Sequence, residues 1–248
     1  VAPASAPYSN MRELIAAGLG SLPGTAAEIL DDEVRRVICP DKVTTDEWLA
    51  VMETAHRLGL RSTATIMFGH VDHPRHWARH LNRLRALQAR TGGFTELVPL
   101  PFVHMESPIY LKGSARRGPT YREAVLMHAV ARLALHPVIP NIQVSWVKMG
   151  EVGVTACLCA GANDLGGTLM NESISRAAGT QHGQECAPER MDELIRRMGR
   201  APQQRTTLYG TPTPAQTARS YNAPALAPIT GAFGTRRVRS ERNSMLQV

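Results

Sequence analysis

The stretch Cys157-Leu158-Cys159-Ala160-Gly161-Ala162-Asn163-Asp164-Leu165-Gly166-Gly167 combines three kinds of chemistry. Two thiols could bind a metal. A glycine-rich turn lets backbone approach a ligand closely. Asn163 and Asp164 could hydrogen-bond a polar one. The thiols do not make a cluster site, because an iron–sulfur cluster needs closely placed thiolates. Cys157 and Cys159 are two apart on an expected buried helix and point in different directions, and Cys39 and Cys186 are distant in sequence. All four read as small packing residues. A second candidate is the histidine run: His70, His73, His76 and His80 fall within eleven residues. His76 and His80 have the i, i+4 spacing of some zinc sites. A catalytic site adds a carboxylate in a fixed frame, as in HExxH, and here Asp72 is the one nearby acid. No metal is assigned. His73, His76 and His80 read as a polar helix start and its exposed face. His70 stands apart, because it directly follows a strand.

These residues must be positioned by alternating strands and helices. Strands are expected at 19–23, 61–68, 94–100, 141–147 and 162–167, where short apolar or β-branched runs end in Gly, Pro or Asn. Helices are expected at about 10–18, 45–58, 74–90, 121–135, 150–160, 169–178 and 188–198. The third of these opens on Pro74. Thr44-Thr45-Asp46-Glu47 is a capping box for the second. About five β-α units imply an α/β fold of parallel strands with right-handed crossovers. A closed eight-stranded barrel needs eight units, so the pattern looks like the second half of a barrel. A complete five-stranded doubly wound sheet is the alternative.

In a barrel, working side chains cluster beyond the carboxyl ends of the strands. Polar residues fall there: Glu28, His70, His104 with Glu106, Lys148, and Asn163 with Asp164. Together they predict a polar-rimmed mouth.

Composition narrows the class. The chain has 248 residues, 43% hydrophobic and 5% aromatic, which suits an aliphatic α/β core. No apolar run approaches the roughly 20 residues that span a membrane. Of the net charge of +7, all but one unit falls in residues 200–248, where seven arginines face one acid, Glu241. The body therefore lacks the basic footprint of a nucleic-acid domain. Five prolines across residues 200–248 and little periodicity make residues 210–248 an expected disordered basic tail, with residues 1–209 as the structured domain. Four Cys without a stapling pattern suggest a reducing cytoplasm.

Six ordered motifs carry a resemblance: PGTAAEILDDEVR, TAHRLGLRSTATIMFGHVDHPRHWARHL, QARTGGFTELVPLPFVH, GPT, NIQVSWVKMG and GANDLGGTLMNESISRAAG, continuing through PQQRTTLYG. The chain resembles, over about residues 10–210, the radical S-adenosylmethionine enzymes that build the deazaflavin of coenzyme F-420, and in particular the C-terminal half of FO synthase. The resemblance implies the C-terminal portion of a radical SAM TIM-type barrel. It also implies a [4Fe-4S] cluster, S-adenosyl-L-methionine, and two small-molecule substrates, L-tyrosine and 5-amino-6-(D-ribitylamino)uracil. The reaction implied is transfer of the tyrosine-derived 4-hydroxybenzyl group to the uracil ring. His70 and Lys148 are then expected to be catalytic. Glu28, Thr65, Met67, Ser145, Asn163 and Asp164 are expected to bind cofactor or substrate, with Cys157 and Cys159 as packing.

The family's CxxxCxxC motif is not in this sequence. A partial chain is therefore expected, inactive alone and completed by an N-terminal segment or module. Two alternatives stay open. One is a menaquinone-pathway enzyme of the same superfamily, which tends to carry PGGGAEI in place of PGTAAEI. The other is a non-catalytic half barrel.

Overall fold

A computed structural model describes residues 9–169 and 171–227. In chain order the elements are α1 (Ser9–Ala16), β1 (Ser21–Leu22), α2 (Asp32–Ile38), α3 (Thr45–Arg57), β2 (Arg61–Phe68), α4 (Pro74–Thr91), β3 (Phe94–Pro101), α5 (Pro108–Leu111), α6 (Tyr121–Leu135), α7 (Trp146–Cys159), α8 (Ile174–Ala177), α9 (Pro188–Arg197) and α10 (Pro214–Tyr221). The strands form a parallel sheet in the order β1-β2-β3. Two parallel bridges, Leu97 with Ile142 and Gln143 with Asp164, extend it in sequence order. This is the layout of successive β-α units, with five parallel segments side by side.

The expected fourth and fifth strands thus shrink to single bridges. The reason for the fourth is local. Ser145 is the N-cap residue of α7, and the amides of Lys148 and Met149 already bond its carbonyl. The run therefore leaves the sheet after Val144. α7 itself breaks at Gly150 (φ 60°, ψ 178°), so the regular helix starts where the sequence suggested, near residue 151. α2 was not expected. Its signal was present in Asp31-Asp32-Glu33: the Asp31 side chain accepts from the Glu33 amide as an N-cap.

The capping box at Thr44 and Glu47 forms as expected. β2 shows why its sequence makes a strand. Ser62, Ala64, Ile66 and Phe68 are buried on one face, while Thr63, Thr65 and Met67 are half-buried on the other. The buried face joins Leu81, Leu84 and Leu87 of α4 with Phe94 and Leu97 of β3 in the main core. Phe68 meets Trp77 edge to face at 5.4 Å. A second core gathers Val144, Trp146, Val154, Cys157, Leu158 and Leu165.

Three expectations are corrected. His76 and His80 are buried at 5% and 0% exposure, not on an open helix face; the Nδ1 atoms accept from the amides of His73 and Leu30. Cys159 is exposed, so only Cys157 packs of that pair. Residues 210–227 are ordered. Thr213-Pro214-Ala215-Gln216 is a capping box that starts α10, and Tyr221 Oη donates to Asp192 at 3.1 Å. Proline-rich composition hid that cap. The arginines at 236, 237, 239 and 242 lie outside the described residues.

Candidate functional site

A cleft of about 450 Å³ opens beyond the carboxyl end of β3. Its walls come from Pro101–Met105, the amino end of α6, the first turn of α7, and residues 179–182. Two glycines let these pieces meet. Gly69 has φ 96°, and a Cβ there would lie 2.2 Å from Pro119, so the GPT segment packs on the end of β2. At Gly150 a Cβ would lie 2.7 Å from the His182 ring. The kink in α7 therefore allows His182 to close one side of the cleft.

Lys148 lines this cleft. Its Nζ donates to Ser175 Oγ at 3.1 Å, and burial holds its pKa below the ordinary lysine value despite the opposing pull of Glu172. His104 also lines it, beside the Tyr110 ring at 4.7 Å. Burial, then the charge of Arg117, keep the His104 imidazole below its ordinary pKa.

The other expected site residues separate. His70 is 1% exposed. The Val71 amide donates to its Nδ1 at 2.8 Å, and its Nε2 lies 3.0 Å from the Met67 carbonyl, so the proton sits on Nε2. Burial lowers the ring's pKa below the ordinary histidine value, against the opposing pull of Asp72. The Asp72 carboxylate accepts from the Gly69 and His70 amides at 2.8 and 2.6 Å. His70 thus organises its own turn, with its ring 5.8 Å from that of Phe102 in the cleft wall. Glu28 is held in the left-handed region (φ 44°), and its carboxylate takes Lys42 Nζ at 2.6 Å. Thr65 and Met67 share the half-buried face of β2, beside Val98 and Leu100 of β3. The Thr65 hydroxyl donates to the Gly24 carbonyl at 2.5 Å. Ser145 is buried at the start of α7.

Asn163 is not at the mouth. Its Oδ1 accepts from the Ile142 amide at 2.8 Å and from Arg132 at 2.7 Å. Asn141, next to it, donates to the Thr95 carbonyl at the start of β3. Asn163 therefore ties the amino ends of the strands, opposite the cleft. Asp164 is taken by Arg205, whose Nε lies 2.5 Å from Oδ2 and Nη2 3.1 Å from Oδ1. Sequence reasoning missed the rest of this group. Arg205 also reaches Glu96 Oε2 at 3.3 Å, and Tyr209 Oη donates to the same oxygen at 2.6 Å. Burial raises the Glu96 pKa above its ordinary value, and raises Tyr209 as well. The signal was a lone acid inside an apolar strand, Phe94-Thr95-Glu96-Leu97-Val98.

A smaller pocket of about 190 Å³ lies between α7 and α9, bordered by Glu151, Cys186 and Arg190. Near α2, oxygen and nitrogen atoms of Asp31, Glu33 and His76 lie within 4.8 Å of one another. Arg79 and Arg83 pair with Asp31, and Arg75 with Glu33, which already neutralises those carboxylates.

Parallel strands in sequence order, helices between them, and a cleft beyond the strands' carboxyl ends define a parallel α/β protein. Residues 91–217 match the family described as CofH/MqnC C-terminal region. The chain belongs to that family. It is 56% identical over 199 residues to the 5-amino-6-(D-ribitylamino)uracil–L-tyrosine 4-hydroxyphenyl transferase of Methanopyrus kandleri, covering 80% of this chain and 54% of that protein. It is 56% identical over 194 residues to FO synthase of Nocardia farcinica, covering 78% of this chain and 22% of that protein. With FO synthase of Streptomyces coelicolor it shares 54% identity over 204 residues, 82% of this chain and 23% of that one. The chain thus spans about half of the first relative and under a quarter of the others.

The residues present do not fit a [4Fe-4S] cluster. Cys39 and Cys157 are buried in different parts of the molecule, Cys159 is exposed and Cys186 borders the small pocket. Burial pushes the thiols of Cys39 and Cys186 up and that of Cys157 to about 12, away from the thiolate that binds iron. Among the described residues, no group of three metal-binding side chains contains a thiol.

Proposed function

We propose that this chain is the substrate-facing portion of an FO synthase-type transferase in coenzyme F-420 biosynthesis. It would join the 4-hydroxybenzyl group of L-tyrosine to 5-amino-6-(D-ribitylamino)uracil. The observation that carries this reading is the cleft around Lys148, which lies within the segment matched to the family and to a relative bearing the transferase name. The relatives' names favour this branch over a menaquinone-pathway enzyme.

In this reading Lys148 contacts substrate directly. Thr65 and Met67 lie on the half-buried face of β2, outside the cleft lining, and Ser145 sets the start of α7. His70 acts as a positioning residue through Phe102, and Glu28 through its pair with Lys42. S-adenosyl-L-methionine and the cluster belong to the same reaction, and the cluster's thiolates would come from residues outside these 248. The cytoplasm is the compartment proposed. No described helix is long and apolar enough to cross a membrane.

The test is calorimetric titration of the chain with L-tyrosine and with the ribitylamino-uracil. Saturable binding of either supports the reading, and binding of neither overturns it. The lack of a thiol set favours a second reading, a binding-only half barrel. That reading expects ligand binding but no turnover when the chain is mixed with a cluster-bearing N-terminal segment of a relative.

A further inference from the structure

The cleft carries a charge pattern that the transfer reaction does not by itself assign. Arg117, Lys148, His104 and His182 border it, and among the described residues none of its walls is Asp or Glu. Lys148 is half-buried. Among the described residues its ammonium makes one hydrogen bond, to Ser175 Oγ, and no ion pair within 4.0 Å. An ammonium has three donors, so two remain. Glu172 is near enough to act on Lys148 through its charge; its Oε1 accepts from the Ser175 amide, its Oε2 is buried without a hydrogen-bond partner, and it stands behind Lys148 outside the cleft lining. Thr180 Oγ1 is buried in the cleft wall without a hydrogen-bond partner. The amino end of the 15-residue helix α6 borders the same space and adds positive potential. Phe102, Pro119 and Met149 supply apolar wall. The volume lies within the ~300–1,000 Å³ of small-ligand sites.

We propose that this cleft seats the α-carboxylate of tyrosine, with Lys148 as its cation and the apolar wall against the phenol ring. This rests on the transferase reading above. The uracil carries a neutral polyol, whereas tyrosine and S-adenosyl-L-methionine each bring an α-carboxylate; the apolar wall beside Lys148 favours the phenol, and S-adenosyl-L-methionine binding this cleft more tightly than tyrosine would overturn the assignment.

The experiment is calorimetric titration of the full chain with L-tyrosine, 3-(4-hydroxyphenyl)propionate, tyramine and inorganic phosphate. Tyrosine and the propionate should bind. Tyramine, which lacks the carboxylate, should bind at least about tenfold more weakly, as should phosphate, which lacks the ring. Lys148→Met should weaken tyrosine about tenfold or more and leave tyramine unchanged, and Lys148→Arg should recover part of the loss. Lys148→Gln, which keeps a polar tip without the charge, should weaken tyrosine by a similar factor, and it carries the test if Lys148→Met does not fold. Equal affinity for tyrosine and tyramine, unchanged tyrosine binding in both variants, or phosphate binding as tightly as tyrosine would each overturn the proposal. If tyrosine fails and the ribitylamino-uracil binds, the carboxylate assignment falls and the transferase reading stands. If neither binds, both fall.

Discussion

Replacing Arg205 with leucine should destabilise the protein by about 3–5 kcal/mol, the usual cost of stripping one partner from a buried ion cluster. The structure supports the upper part of that range. The Glu96 and Asp164 side chains are only 6% and 8% exposed, and Arg205 is their shared cation. Its guanidinium also lies 4.0 Å over the Tyr209 ring. Leucine fills similar volume but leaves two buried carboxylates facing each other. The loss should depend on pH. Burial already raises Glu96 above its ordinary 4.5, and removing Arg205 raises it further. The native state then holds more protons than the unfolded chain across that window, so stability falls as pH rises through it. Urea unfolding followed by circular dichroism should show a midpoint lower by about 1–3 M near neutral pH, and a smaller gap at about pH 5. Adding Glu96→Gln should restore part of the loss, because one buried charge is gone while Tyr209 keeps an acceptor. A cost below about 1 kcal/mol with no pH dependence would refute the view that residues 200–210 are clamped to the sheet by this cluster.

Acid should weaken the fold before the carboxylates titrate. Burial lowers His56 from 6.5 to about 4 and His80 to about 3, so the unfolded chain binds protons that the native state refuses. Stability should drop by a few kcal/mol as pH falls from 6.5 toward 4, and His56→Gln should flatten part of that slope; a flat urea midpoint from pH 6.5 to 5 would contradict it. Phe68→Ala should cost about 3–5 kcal/mol, because the ring is fully buried against Trp77. Calorimetry should place its Tm roughly 10 °C lower, and a change under about 1 kcal/mol would mean that the main core is not centred there.

The sequence by itself determined the local elements. Period-two alternation marked β2, and the capping box at Thr44 and Pro74 at the first helical position marked α3 and α4. These signals work because backbone amides at a helix start must be satisfied within a few residues. The order of parallel segments was legible for the same reason, since consecutive β-α units have one favoured handedness. The motifs also carried the family. Side-chain destinations were not legible. Asn163 and Asp164 sit side by side in a glycine-rich turn, yet one staples the strand beginnings to Arg132 and the other pairs with Arg205, 41 residues on. His70 has the right place in the chain for chemistry, but its ring folds back onto its own turn. His80 looked like an exposed helix residue until α4 laid it against the Leu30 amide. Each outcome depends on which group elsewhere in the chain arrives to satisfy a buried donor or charge, and only the tertiary structure brings those partners within hydrogen-bond range. Tertiary packing also decided the cleft. Lys148, Thr180 and Pro119 come from three separate segments, joined where Gly69 and Gly150 leave room for their neighbours.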